Sequence, residues 1–67
     1  MIWLNGDPVE GQDGAPIPAL LDLLGVEPER RGVAVAVDDE VVPRAQWGAT
    51  TVAPGARVEV LTAMQGG

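Results

Sequence analysis

Arg57-Val58-Glu59-Val60-Leu61-Thr62-Ala63-Met64, followed at once by Gln65-Gly66-Gly67, closes the 67-residue sequence. Val58 and Val60 alternate with Arg57, Glu59 and Leu61 at the period of two that lets a strand bury one face. The reading is a last strand over 57–64 with both valines inward, passing almost directly into two residues without side chains. Glycine accepts backbone angles closed to other residues and lets a surrounding wall approach the main chain closely. A diglycine ending therefore suits a carboxylate delivered to the bottom of a narrow site, although chain ends also fray for no functional reason. What separates these readings is where in the fold the last strand lies.

Outward from that strand, Thr51-Val52 leads to Pro54-Gly55, a turn dipeptide, and residues 44–48 lack period-two patterning and predict one irregular or helical turn. Glu40-Val41-Val42-Pro43 reads as a short strand. Val33-Ala34-Val35-Ala36-Val37 alternates large with small, which sets three valines on one sheet face and two alanines on the other. Asp38-Asp39 is the turn between these strands; with Glu40 the run is acidic, but it lacks the spaced ligands and glycine of a calcium loop. At the other end, Met1-Ile2-Trp3-Leu4 is followed by Asn5-Gly6, a strong hairpin signal. The return strand Asp7-Pro8-Val9-Glu10 is restricted to a sheet edge by Pro8, which has no N–H to donate.

Between the two hairpins, Ile17, Leu20, Leu21 and Leu24 fall at i, i+3, i+4 and i+7, one face of a helix. Pro18 is tolerated in its first turn, and Gly25 suits a left-handed cap. The order strand, strand, helix, strand, strand, strand predicts an α+β domain. One helix cannot comfortably join neighbouring second and third strands, but the crossover is natural if the first and last strands pair centrally. That arrangement is the ubiquitin-like β-grasp, a mixed sheet of about five strands with one helix packed across it. It divides the chain into a body, residues 1–64, and a flexible reactive tail, residues 65–67.

Composition narrows the chemistry. The sequence contains no cysteine and no histidine, which removes thiolates and the usual base near neutral pH. Hydroxyls are confined to Thr50, Thr51 and Thr62, with no evident base beside them, so a nucleophilic enzyme is disfavoured. Ten acidic residues against four arginines give a net charge of −6, which repels nucleic acid and anionic lipid and suits either a basic protein surface or plain solubility. Lysine is absent, so the α-amino group of Met1 is the one amine open to an activated acyl group. No apolar run reaches a membrane span and no basic-then-apolar leader is evident; the expectation is a cytoplasmic protein.

At this point the chain resembles the sulfur-carrier family of thiamine biosynthesis. The likeness runs through Leu4-Asn5-Gly6, Leu20-Leu21, Leu24-Gly25, Val33-Ala34-Val35-Ala36-Val37, then Val42-Pro43-Arg44 with Gln46-Trp47, and Gly66-Gly67. Val-Pro-Arg-x-Gln-Trp is its most specific piece. The family often has Thr or Ser near position 16 to cap the helix; this chain has Pro16, leaving Asp13 or a proline-fixed first turn to compensate. The resemblance implies that an adenylating enzyme of the ubiquitin-activating type uses Mg-ATP to activate the Gly67 carboxylate, that a sulfur donor protein converts it to a thiocarboxylate, and that thiazole synthase takes the sulfur. No cofactor is bound by the carrier itself.

Docking must use the folded body as well as the tail formed by Gln65, Gly66 and Gly67. If Ile2 and Leu4 face the helix, Trp3 points the other way, beside Leu61 and with Ala34 and Ala36; this patch, with Met64, is the candidate partner-binding surface, since exposed aromatics favour interfaces. A lone exposed Trp tolerated on a small sheet is the alternative. Arg44 and Trp47 either meet a partner or close the open end of the core, and the second is favoured because so small a core needs its large side chains. Two other functions remain open: the small subunit of a molybdopterin synthase, which the Val42-Pro43-Arg44 motif disfavours, and a ubiquitin-like modifier that forms amides.

Overall fold

A computed structural model describes residues 1–63. The elements are β1 (Ile2–Leu4), β2 (Asp7–Val9), α1 (Ile17–Leu23), β3 (Val33–Val37), β4 (Glu40–Val42), a 3-10 helix (Arg44–Ala49) and β5 (Arg57–Thr62). They form a five-stranded sheet in the order β2-β1-β5-β3-β4. β5 pairs parallel with β1 and antiparallel with β3, so the last strand is central, as the expected β-grasp requires.

Both hairpins turn as their residues dictate. Asn5 and Gly6 have φ of 51° and 85°, and Asp38 and Asp39 have φ of 49° and 70°. Positive φ at both central residues is the two-residue geometry whose twist matches the flanking strands. Pro8 lies in the edge strand β2, opposite Trp3, where its missing N–H breaks no interior ladder.

The turn at Asn5 leaves β1 too short to accompany β5 to its end, and a side chain makes up the difference. The Asn5 N–H donates to the Val58 carbonyl at 2.9 Å, and Asn5 Oδ1 accepts from the Val60 N–H at 2.8 Å. The amide oxygen thus supplies the rung that a continuing strand would have offered through its main chain. At the other end of β5, Asp38 N–H donates to the Arg57 carbonyl at 2.8 Å while Asp38 Oδ1 accepts from the Arg57 N–H at 2.9 Å.

The helix starts without a side-chain cap. Asp13 does not serve that purpose: its Oδ1 pairs with the Met1 amino group at 2.8 Å. The first turn is satisfied otherwise. Ile17 N–H donates to the Thr50 carbonyl at 3.2 Å and Ala19 N–H to that of Pro16 at 3.1 Å, while Pro18, between them, has no N–H to satisfy. Pro16 also bridges to Thr51, so the segment before β5 holds the start of the helix. Ile17, Leu20 and Leu21 are fully buried, and each such side chain contributes about 1.5–3 kcal/mol. A helix of 7 residues has no stability without that packing.

Leu24 departs from the expected buried face, being 39% exposed. α1 ends at Leu23, and the chain reverses there: Val26 N–H donates to the Leu21 carbonyl at 2.9 Å and Gly25 N–H to that of Asp22 at 3.1 Å, with Gly25 at φ 71°. This is the Schellman pairing. It swings Leu24 outward and puts Val26 into the core.

Val35 is buried, Val33 and Val37 pack against the core, and Val58 and Val60 face inward from β5. Ile2, Leu4, Trp47, Val52 and Ala56 complete the apolar cluster. All of it lies on the helix side of the sheet. Replacing Asn5 by Gly keeps the backbone freedom and removes the acceptor for the Val60 N–H; it should cost about 1–2 kcal/mol, and Asn5→Asp, which retains an oxygen there, should cost less, as read from denaturation midpoints.

Candidate functional site: the open sheet face

Strand alternation fixes what the other side of the sheet displays, because residues opposite one another in the ladder share a face. Pro8, Trp3 and Arg57 form one row across β2, β1 and β5. Val41, Ala36 and Glu59 form a second across β4, β3 and β5, and Ala34 with Leu61 a third. Trp3 is 38% exposed, Leu61 66% and Val41 75%, so the face is largely apolar with charge at its middle.

Of the sequence-predicted surface, Trp3, Ala34, Ala36 and Leu61 share this face, with one correction. Trp3 and Leu61 share the face but are not side by side: Trp3 lies opposite Arg57, and Glu59 separates Arg57 from Leu61 along β5. Parallel pairing of β1 with β5 ends at Leu4 and Val58, which stops β1 short of Leu61. Two depressions span the gap, one bordered by Trp3, Gly6, Arg57, Val58 and Glu59 and the other by Asn5, Gly6, Glu59, Val60 and Leu61. Val41 and Glu59 are the members that reading the sequence missed. Their signal was present, since an inward Val42 forces Val41 outward and inward Val58 and Val60 force Glu59 outward.

Trp47 belongs elsewhere. It is 3% exposed in the core, and its Nε1 donates to the Val42 carbonyl at 2.9 Å. The Arg44 guanidinium lies over the ring, 4.5 Å from its centroid, and donates to the Pro28 and Arg30 carbonyls. Trp47 thus closes the core with Arg44 across it, the favoured alternative of the sequence reading. Pro43 precedes the 3-10 helix as its N-cap, and its carbonyl accepts from the Gln46 N–H at 2.8 Å; Gln46 itself is exposed. Met64, Gln65, Gly66 and Gly67 lie outside the described residues. Among the described residues no group of three or more acidic side chains is arranged to hold a metal, and no helix is long and apolar enough to cross a membrane.

The central last strand with an open apolar face beside it agrees with a family match over residues 2–67 to the ThiS family. The chain belongs to the ThiS family. The sulfur carrier protein ThiS of Thermus thermophilus is 36% identical over 67 residues, covering 100% of both chains. Among solved structures, the crystal structure of the thiamine biosynthesis protein ThiS from Geobacter metallireducens matches with a TM-score of 0.74 at 35% identity, covering 98% of this chain and 97% of that one. An NMR solution structure of a thiamine biosynthesis protein from the same organism gives a TM-score of 0.76 at 37% identity, covering 98% and 86%. The β-grasp order of this ThiS-family chain is thus shared with known members.

The core and the open face should respond differently to substitution. Trp47→Ala should destabilise by about 3–5 kcal/mol, as for other buried aromatics, whereas Leu61→Asp on the open face should stay within about 1 kcal/mol of the parent. Urea denaturation followed by the remaining tryptophan fluorescence or by circular dichroism measures both.

Proposed function

We propose that the chain is a sulfur carrier of thiamine biosynthesis whose reactive group is the carboxylate of Gly67. The observation that carries this reading is the match, end to end, to a protein named as a sulfur carrier, in a chain whose matched region includes Gly66-Gly67. A carboxylate is a poor acyl electrophile until it bears a leaving group. In the proposed sequence, an adenylating partner using Mg-ATP joins a Gly67 carboxylate oxygen to the α-phosphorus and expels pyrophosphate. Hydrosulfide released by a donor protein then attacks the acyl carbon, the new C–S bond forming as the C–O bond to AMP breaks, which leaves a terminal thiocarboxylate. Thiazole synthase takes that sulfur.

The chain's own contribution is recognition and delivery, with the chemistry in its partners' sites. Diglycine lets the main chain enter a narrow passage without side-chain obstruction. Two glycines offer too little surface for selectivity, so the body must dock. Trp3, Leu61, Val41, Ala34 and Ala36 on the open face are the proposed contacts, with Glu59 among them as a charged group that fixes orientation. The absence of lysine supports the same reading, since an activated acyl group meets no side-chain amine on its own protein.

Incubation with the adenylating enzyme, Mg-ATP and a sulfur source should raise the intact mass by the difference between one sulfur and one oxygen. An unchanged mass under conditions that activate a known ThiS would refute the proposal, and an amide conjugate to lysines of other proteins would identify a modifier instead. Leu61→Asp and Trp3→Asp should slow activation at least about tenfold, the scale of truncating an interface anchor, while Leu23→Asp on the exposed helix end should leave it unchanged.

A further inference from the structure

Arg44 stands out among the exposed side chains because its guanidinium is turned onto its own protein. Its plane covers the Trp47 ring at 4.5 Å, and its N–H groups reach the carbonyls of Pro28 and Arg30. Those carbonyls belong to the connection between α1 and β3. Arg30 N–H closes a turn onto the Glu27 carbonyl at 3.0 Å, and the connection then bends through Gly32 at φ 77°. Immediately after that bend, the Gly32 carbonyl accepts from the Ala63 N–H at 2.7 Å. Ala63 is the residue that follows β5.

The contacts form a continuous line: Trp47, fixed in the core, carries Arg44; Arg44 holds the connection at residues 28 and 30; and the connection holds Ala63. We infer that Arg44 is a positioning residue that sets the place and direction in which the chain leaves the sheet, and so aims the reactive end. The inference builds on the sulfur-carrier reading for its functional consequence, but its structural content stands apart from it. β5 loses its last strand pairing at Thr62 opposite Val33. Beyond that point the described backbone has only the Gly32 contact to orient it, and the loop offering that contact carries no buried side chain among residues 27–32 to anchor it. A planar, forked guanidinium can stack on an aromatic ring and reach two carbonyls at once, which an ammonium cannot.

Amide hydrogen exchange on Arg44→Lys and Arg44→Gln, with Trp47 kept, tests the inference. Exchange at Ala63 should speed up by about fivefold or more, the scale of losing one supporting hydrogen bond, while Val35, Val58 and Val60 keep their protection and the melting temperature shifts little. With the adenylating enzyme, KM for the carrier should rise more than kcat falls, and Arg44→Lys, which keeps the charge and part of the stacking, should be rescued only in part. Unchanged exchange at Ala63, or a loss spread evenly over all of β5, would overturn the positioning role and leave Arg44 as a general stabiliser. Failure of the parent protein to be activated at all would instead refute the carrier reading, and the exchange result would stand.

Discussion

Backbone groups of a buried central strand need partners, and β5 outruns its neighbour β1, which pairs with it only at Arg57 and Val58. β1 ends at Leu4 and β3 begins at Val33, and Asp38, Asn5 and Gly32, all outside the strands, extend the pairing beyond them. Asp38 closes the beginning of β5, Asn5 Oδ1 takes the Val60 N–H, and the Gly32 carbonyl takes the Ala63 N–H. A partly buried amide left without an acceptor costs about 1–3 kcal/mol, a large share of the stability available to a domain of this size. These polar contacts keep the last strand at the centre of the sheet.

Centrality has two consequences that pull in the same direction. Inward, Val58 and Val60 tie the sheet to Ile17, Leu20 and Leu21 of the helix within one core cluster. Outward, the same strand presents Arg57, Glu59 and Leu61 in the middle of the open face. The strand that leads to the proposed reactive end is therefore also the spine of the proposed docking surface. On the proposed carrier reading, a partner that grips this face would hold the end of β5 at a set distance from its own active site, as orientation lowers the barrier to a reaction between two bound groups.

The Arg44 and Trp47 pair serves the opposite side of the molecule from the open face. Its ring is buried in the core, and its guanidinium fastens the stretch 27–32, which has no buried side chain of its own. The Schellman turn at Gly25 begins the same connection by burying Val26 in place of Leu24. Helix end, connection and tail base thus form one mechanical unit held at both ends by hydrogen bonds to carbonyls.

Periodicity determined the helix, the inward valines and the main strands, although the last strand ends at Thr62 and leaves out Ala63 of the expected 57–64, and turn residues marked both hairpins. Alternation at two and recurrence at three and four are properties of local geometry that hold wherever the element is placed. The diglycine and the Val-Pro-Arg-x-Gln-Trp run were likewise legible as residues. Only the tertiary structure decided that Leu24 gives way to Val26, that Asp13 meets the Met1 amino group instead of capping the helix, that Glu59 comes between Trp3 and Leu61, and that Arg44 reaches the loop beside Ala63. The first follows from where the helix ends and reverses at Gly25; the others depend on the relative register of segments apart in the chain. Register is set by the packing of the whole core against the sheet, which no local pattern encodes.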